Sequence, residues 1–214
     1  GFLSEKAEFA KKVEANGLIF IGPNVRAIEL MGDKIQSKNF VESLNGPLIP
    51  GYHGANQKAQ ELLNIATQIG FPVLIKASAG GGGKGMRVVL NEGDFISALE
   101  MAKSESLKAF GDDKILLEKF IENPRHIEVQ VLGDRHGNYV HLFERECSVQ
   151  RRYQKIIEEA PAANLQEKTK ENLRKIALQI AAQIQYDSVG TLEFIVDKEE
   201  NIYFLEMNTR LQVE

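Results

Sequence analysis

Three side chains that offer hard oxygens, Glu193, Glu206 and Asn208, fall in two neighbouring segments near the end of the chain. Glu193 lies in Thr191-Leu-Glu-Phe-Ile-Val-Asp197, and the other two lie in Ile202-Tyr-Phe-Leu-Glu-Met-Asn208. Both segments have strand composition, and the polar run Lys198-Glu-Glu-Asn201 between them predicts a hairpin. Pairing across that loop sets Phe194 against Leu205, Val196 against Tyr203 and Leu192 against Met207, an apolar face. The opposite face pairs Ile195 with Phe204, Glu193 with Glu206 and Thr191 with Asn208. Carboxylates directly opposite each other repel, so the pair is either neutralised or fully exposed. A magnesium ion would neutralise it, and a solvated edge with two glutamates is the other reading; the register depends on the assumed loop. Magnesium usually binds one or two carboxylates together with substrate phosphates, which directs attention to a phosphate-binding loop.

The candidate is Ala79-Gly-Gly-Gly-Gly-Lys-Gly85, between a strand at Val73–Lys76 and another at Met86–Leu90. Each glycine costs about 0.5 to 1 kcal/mol of backbone entropy when ordered, so the loop costs about 2.5 to 5 kcal/mol. Against a typical stability of about 5 to 15 kcal/mol, such a loop needs a compensating contact. Gly80, Gly82 and Gly85 match Gly-x-Gly-x-x-Gly, but a dinucleotide fold needs a helix next, and Arg87-Val-Val-Leu90 is a strand. A P-loop is excluded as well, because glycine follows Lys84. Strand, glycine loop and strand instead suit a flap over nucleotide phosphates, with backbone N–H groups and Lys76 offered to oxygens; a floppy surface loop is the alternative. Lys34 stands in the first turn of a helix opened by Asp33. A cation there opposes the helix dipole, so it is read either as facing an anion brought from elsewhere or as simply solvated.

The elements that must position these residues can be read in order. Ser4 is expected to cap a helix with Ala7, Phe9, Ala10 and Val13 on one side, ending at Asn16-Gly17, followed by a buried strand at Leu18–Ile21. That pattern reads as the last unit of an α/β domain, over residues 1–32. A second domain then spans 33–214. It opens with a helix from Asp33 to about Leu44, a linker punctuated by Gly46-Pro47 and Pro50-Gly51, and a helix at Ala59–Ile69. After the glycine loop come a helix at Asp94–Phe110 and a strand at Lys114–Ile121. In that strand the pair Glu118-Lys119 interrupts an apolar run where a chain could pass an adenine edge, or is merely solvated. Strands at Ile127–Leu132 and Tyr139–Glu146 flank the turn Asp134–Asn138, and a helix at Gln166–Gln185 leads into the final hairpin. His126, at a strand end, reads by itself as structural. The polar run Gln150–Lys155 is expected to be a solvated loop.

Composition bounds the function. A net charge of −4 without a basic stripe removes the electrostatic footprint of nucleic-acid binding. No apolar run approaches the roughly 18 residues of a membrane span. The single cysteine, Cys147, excludes a disulfide framework within the chain and reads as a buried, inert thiol in a reducing compartment, cytoplasmic or the mitochondrial matrix. The sequence opens without methionine and stops inside a polar motif, so it reads as part of a longer polypeptide.

Several segments together resemble one family. They are Ser-Ala-Gly-Gly-Gly-Gly-Lys-Gly-Met-Arg at 78–87, Glu-Lys-Phe at 118–120, Asn-Pro-Arg-His-Ile-Glu-Val-Gln at 123–130, Cys-Ser-Val-Gln-Arg-Arg at 147–152, Gln-Lys-Ile-Ile-Glu-Glu-Ala-Pro at 154–161 and Glu-Met-Asn-Thr-Arg-Leu-Gln-Val-Glu at 206–214. With Gly-Pro-Asn at 22–24 and Met-Gly-Asp-Lys at 31–34, they resemble the biotin carboxylase component of biotin-dependent carboxylases. The resemblance implies an α+β fold of the ATP-grasp type, two α+β subdomains gripping ATP with a lid at about 50–120, preceded by the end of an α/β pre-ATP-grasp domain. It implies carboxylation of biotin by bicarbonate, driven by ATP with Mg²⁺ or Mn²⁺ and passing through carboxyphosphate. The implied partners are a biotin carboxyl carrier domain and a carboxyltransferase component, in a homo-oligomeric parent enzyme.

Carried over residue by residue, the resemblance gives Lys34, Lys76, Gly82 and Gly83 to phosphates and Glu118, Lys119 and Ile121 to adenine. His126 and Gln150 go to the ribose and its surroundings. Glu193, Glu206 and Asn208 would bind two magnesium ions. Lys155, Arg210, Gln212 and the Val213 backbone would hold bicarbonate, with Glu214 as its base and Arg210 also stabilising charge near biotin. Tyr153 stands where the family commonly has histidine, so a ring contact to the nucleotide survives and an imidazole hydrogen bond does not. The part that completes the biotin pocket with another arginine would lie beyond Glu214, so the isolated segment is expected to bind nucleotide without turnover. Tyr52-His53-Gly54 looks somewhat like methylcrotonyl-CoA carboxylases, but acetyl-CoA, propionyl-CoA and pyruvate carboxylases share the rest. The competing readings are another ATP-grasp ligase, such as a carbamoyl-phosphate or purine-pathway enzyme, and a nucleotide-binding module without turnover. The acceptor end, Gln150–Lys155 with Arg210–Glu214, separates the first of these.

Overall fold

Hydrophobic spacing alternates between helical and strand periods along the chain, and the backbone follows it. In the computed structural model, which describes residues 3–79, 85–151 and 154–212, the elements are α1 (Ala7–Ala15), α2 (Val25–Gly32), α3 (Lys34–Ser43), β1 (Gly51–Tyr52), α4 (Ala59–Ile69), β2 (Val73–Ala77), β3 (Arg87–Val89), α5 (Phe95–Phe110), β4 (Ile115–Lys119), β5 (Arg125–Gly133), β6 (Tyr139–Arg151), β7 (Gln154–Glu159), α6 (Glu167–Gln183), β8 (Ser188–Val196) and β9 (Ile202–Asn208). They form two units. One comprises Gly1–Pro47, Asn123–Gln150 and Lys155–Glu214, and the other Leu48–Glu122 with Arg151–Gln154.

In the smaller unit the antiparallel sheet runs β1-β4-β2-β3. Alternation puts Val73 and Ile75 of β2 and Ile115 and Leu117 of β4 into a core with Leu62 of α4 and Phe95 and Leu99 of α5. Burying each large side chain in it contributes about 1.5 to 3 kcal/mol. The same alternation sends Lys76 and Glu118 to the opposite face. Helix α5 stops at Gly111, whose φ of 75° is the left-handed conformation that a helix C-terminus favours and that glycine adopts without strain.

In the larger unit a five-stranded antiparallel sheet runs β7-β6-β5-β8-β9. Leu173, Ala177, Ile180 and Ala181 of α6 are buried, as are Ile127, Val129, Leu192, Phe194, Val196, Phe204 and Met207 of the strands. Helices α2 and α3 pack against β9. Each has a side-chain cap: Asn24 accepts from the Ala27 N–H, and Asp33 accepts from the N–H groups of Ile35 and Gln36. The cap places Lys34 at the very start of α3.

The final hairpin has the expected pairs at its site end, Thr191 with Asn208, Leu192 with Met207 and Glu193 with Glu206. Beyond them the register shifts by one, so Phe194 faces Phe204 rather than Leu205, Ile195 faces Tyr203 rather than Phe204, and Val196 faces Ile202 rather than Tyr203. The turn is the reason. Asp197 accepts from the N–H groups of Glu199 and Asn201, closing a loop one residue longer than assumed on its leading side. A bulge at Leu205 takes up the offset, so Phe204, expected on the polar face, is buried against Phe194 on the apolar one, and Tyr203 changes to the opposite side beside Ile195.

Three local expectations are corrected. Leu18–Ile21 is not a buried strand: among the described residues no strand pairs with it, and Ile21 is 95% exposed. Lys6 rather than Ser4 occupies the cap position of α1, which begins at Ala7. Of the run expected as a solvated loop, Gln150 and Arg151 belong to β6 and Gln154 and Lys155 to β7; residues 152 and 153 lie outside the described residues.

Candidate functional site: a row of carboxylates on the polar face

Strand register assembles the site. Glu128 of β5 faces Arg145 of β6 on one side and Glu193 of β8 on the other, and Glu193 faces Glu206 of β9. Four charged residues therefore stand in one row across four strands, on the face away from the apolar core. The adjacent row holds Gln130, Thr191 and Asn208, also in register. Glu128 is wholly buried and Glu193 is 5% exposed. Carboxylates so buried require close counter-charges and donors.

Those are present. Lys155, from β7, pairs with Glu128 and lies 3.1 Å from Glu193 Oε1. Arg145 pairs with Glu128 and, 3.0 Å away, with Glu158. His126 Nε2 is 2.9 Å from Glu193 Oε2, and Asn208 Nδ2 donates to Glu193 Oε1 at 2.6 Å. Gln150 Nε2 sits 2.7 Å from His126 Nδ1 and donates to the Cys147 carbonyl. Lys34 Nζ is 3.7 Å from Glu206 Oε2.

Burial would raise the Glu193 carboxyl, but the His126 hydrogen bond and the charges of His126 and Lys155 outweigh it and hold the group at about 2. Lys155 goes the other way: burial lowers it, but Glu193 and Glu128 together hold its ammonium well above the ordinary lysine range. Burial, aided by the Glu128 charge, pushes the Cys147 thiol up to about 12.

At the acceptor end, Gln212 Oε1 accepts from Arg145 Nη2 at 2.8 Å and from Thr191 Oγ1 at 2.9 Å. Lys155 and Gln212 thus meet in the Glu128–Arg145 network. Arg210 is held 3.0 Å from Glu5 Oε2, with its Nη2 3.5 Å from Asn208 Oδ1. In the smaller unit, Lys76 and Glu118 form a buried ion pair. The Lys119 ammonium donates to the carbonyls of Gly70 and Phe71, at 2.8 and 3.0 Å, where α4 ends. With its ammonium so held and its backbone N–H donating to the Pro50 carbonyl at 2.7 Å, Lys119 has only its own carbonyl to offer a ligand. Gly82, Gly83, Tyr153, Val213 and Glu214 lie outside the described residues.

Sequence reading missed Glu128, Arg145 and Glu158. The alternation His126-Ile-Glu-Val-Gln130 places Glu128 on the face of His126 and Gln130, so its side was readable. Its neighbours were not, since the register between β5 and β8 depends on long-range packing. His126, Glu128 and Glu193 bring ligand atoms within 4.8 Å of one another. Glu193 faces Glu206 across the hairpin with Asn208 in the adjacent row, so the hairpin itself groups Glu193, Glu206 and the Asn208 amide as a hard-oxygen set. That set fits Mg²⁺ or Mn²⁺: the donors are oxygens, and Glu193 is fully ionised at neutral pH.

The fold and this site define an ATP-grasp domain. Residues 33–214 match the family described as "Carbamoyl-phosphate synthase L chain, ATP binding domain", and residues 1–28 match "Biotin carboxylase, N-terminal domain". The chain belongs to that ATP-binding family, in its biotin carboxylase branch. Across its whole length it is 54% identical to the propionyl-CoA carboxylase alpha chain of Ruegeria pomeroyi and 53% identical to the mitochondrial methylcrotonoyl-CoA carboxylase subunit alpha of Mus musculus. It spans 31% and 30% of the length of those two proteins. All of the chain also superimposes on 48% of a Campylobacter jejuni biotin carboxylase solved as a beta-gamma-ATP complex, with a TM-score of 0.97 and 51% identity. It covers 47% of the biotin carboxylase domain of Hydrogenobacter thermophilus 2-oxoglutarate carboxylase, solved with MgADP, ADP and bicarbonate, with a TM-score of 0.95 and 50% identity. No helix among the described residues is long and apolar enough to cross a membrane.

Proposed function

We propose that these residues are the ATP-binding part of a biotin carboxylase, an ATP-dependent ligase that activates bicarbonate as carboxyphosphate for carboxylation of biotin on a carrier domain. The parent enzyme would work with a carboxyltransferase component that selects the acyl group. The observation that carries the reading is the row Glu128–Glu193–Glu206 with Lys155, Asn208 and Gln212 beside it, because it joins a metal-binding pair to an anion-binding end on one sheet face.

In this reading Glu193, Glu206 and Asn208 hold Mg²⁺ or Mn²⁺, which supplies charge neutralisation for the transferring phosphoryl group. Lys34, Lys76 and the backbone of Gly82 and Gly83 bind phosphate oxygens. Glu118, Lys119 and Ile121 pass the adenine, with Lys119 acting through its backbone, while His126, Gln150 and Tyr153 line the ribose and its surroundings. Lys155, Arg210, Gln212 and the Val213 backbone orient bicarbonate. Glu214 takes its remaining proton, so that an oxygen bearing full negative charge attacks the γ-phosphorus of ATP while the bond to the β,γ-bridging oxygen breaks and ADP leaves. The test is Glu206→Gln in the intact enzyme. The Mg²⁺ concentration for half-maximal ATP cleavage is expected to rise at least about tenfold while the circular dichroism spectrum stays that of the parent. An unchanged metal dependence would refute the assignment.

A further inference from the structure

Each carboxylate assigned to the metal already has a lysine beside it. Lys155 lies 3.1 Å from Glu193, and Lys34 lies 3.7 Å from Glu206. These are the lysines that the proposed function turns toward bicarbonate and phosphate. The two pairs differ in strength. The Lys155 and Glu193 side chains are 20% and 7% exposed, against 23% and 34% for Lys34 and Glu206, and attraction weakens with distance and with solvent screening. Lys155 is the stronger competitor for the metal position.

Lys155 also has a second carboxylate to hold it. Glu128 pairs with the same ammonium and is itself anchored by Arg145. An ammonium that leaves Glu193 therefore stays in the site. The other groups on Glu193 are held differently: Asn208 is fixed by strand register, and His126, oriented by Gln150, reaches Glu128 only at 3.8 Å, whereas Lys155 already pairs with Glu128 directly.

We propose that Lys155 is the resident counter-ion of the metal carboxylates, so that a divalent cation at Glu193 and Glu206 displaces its ammonium onto Glu128 and turns it toward an anion. This inference rests on the metal assignment made above. Its consequence is a linkage. A divalent cation adds two positive charges to a cluster in which Lys34, Lys155 and Arg145 already face Glu128, Glu158, Glu193 and Glu206, and anions at the displaced ammonium groups relieve part of that gain. Metal and anion then strengthen each other's binding reciprocally, and each alone binds weakly.

Mn²⁺ binding to the intact protein without nucleotide, followed by electron paramagnetic resonance, tests this without any activity measurement. Lys155→Met is expected to bind Mn²⁺ at least about tenfold tighter than the parent, because the competing charge is gone. Lys155→Arg should stay close to the parent, and Lys34→Met should tighten binding by less than about threefold. If Lys155→Met fails to give the parental circular dichroism spectrum, Lys155→Gln replaces it in the comparison. Unchanged or weaker Mn²⁺ binding in a folded neutral variant overturns the inference. Glu206→Gln distinguishes this from failure of the underlying reading. Should it leave Mn²⁺ binding unaltered in both the parent and Lys155→Met, the metal assignment is wrong. Should it weaken binding in both while Lys155→Met does not tighten it, only the counter-ion inference falls.

Discussion

Removing one charge from the middle of the row tests the electrostatic account most directly, and Glu128→Gln does so with little change in volume. Glu128 is wholly buried and pairs with both Arg145 and Lys155, whose side chains are 9% and 20% exposed. Breaking a buried ion pair by neutralising one partner costs about 3 to 5 kcal/mol, because the other charge stays in the interior. Here two cations lose a partner, but neither is stranded: Arg145 keeps Glu158 and Gln212, and Lys155 keeps Glu193. The substituted amide can accept through its oxygen, but its NH₂ faces a donor on one side. The lower part of the range, about 3 kcal/mol, is therefore expected. For a chain of this size about 1 kcal/mol shifts the melting temperature by about 2 to 4 °C, so the loss should be about 6 to 12 °C. Differential scanning calorimetry measures it, and two transitions are acceptable, since only the one belonging to the larger unit should move. The shift should persist at about 0.5 M salt, because buried pairs are screened much less than exposed ones. A melting temperature within about 2 °C of the parent would show that the row is solvated and that burial plays no part in it.

Cys147 should be nearly inert in the folded protein. With the thiol at about 12, the thiolate fraction at pH 8 is about one in ten thousand, against about a quarter for an ordinary cysteine. Reaction with a disulfide reagent at pH 8 is therefore expected to track unfolding in urea, and fast labelling without denaturant would contradict the burial described. Lys119→Met should destabilise the smaller unit by about 1 to 2 kcal/mol, through loss of two hydrogen bonds to the carbonyls at the end of α4. Hydrogen exchange of the last turn of α4 should quicken while the larger unit is unchanged; equal effects in both units would mean that Lys119 does more than tie down that helix end.

The parts of the fold that rest on local rules were readable from the residues. Helix α4 begins and ends where its apolar spacing and Gly70 place it, Asp33 caps α3, and the strand alternation of β8 and β9 puts Glu193, Glu206 and Asn208 on one face. The pairing of Glu193 with Glu206 came out correctly from a loop that is not the one assumed, because the bulge at Leu205 cancels the error of the turn before the site is reached. Leu18–Ile21 failed for the opposite reason: its composition suits a strand, but strand formation needs a neighbour, and composition carries no information about one. The larger omission follows the same logic. Lys155 and His126 were each assigned to a ligand, one to bicarbonate and one to the ribose region, and both also hold Glu193. Long-range register alone brings β5, β7 and β8 together, so the identity of each residue was legible and its counter-charge was not. That difference matters chemically. Lys155 and His126 are counter-charges to Glu193, so a ligand that engages either of them must compete with that carboxylate, and binding of one ligand at this face is coupled to whatever else Glu193 holds.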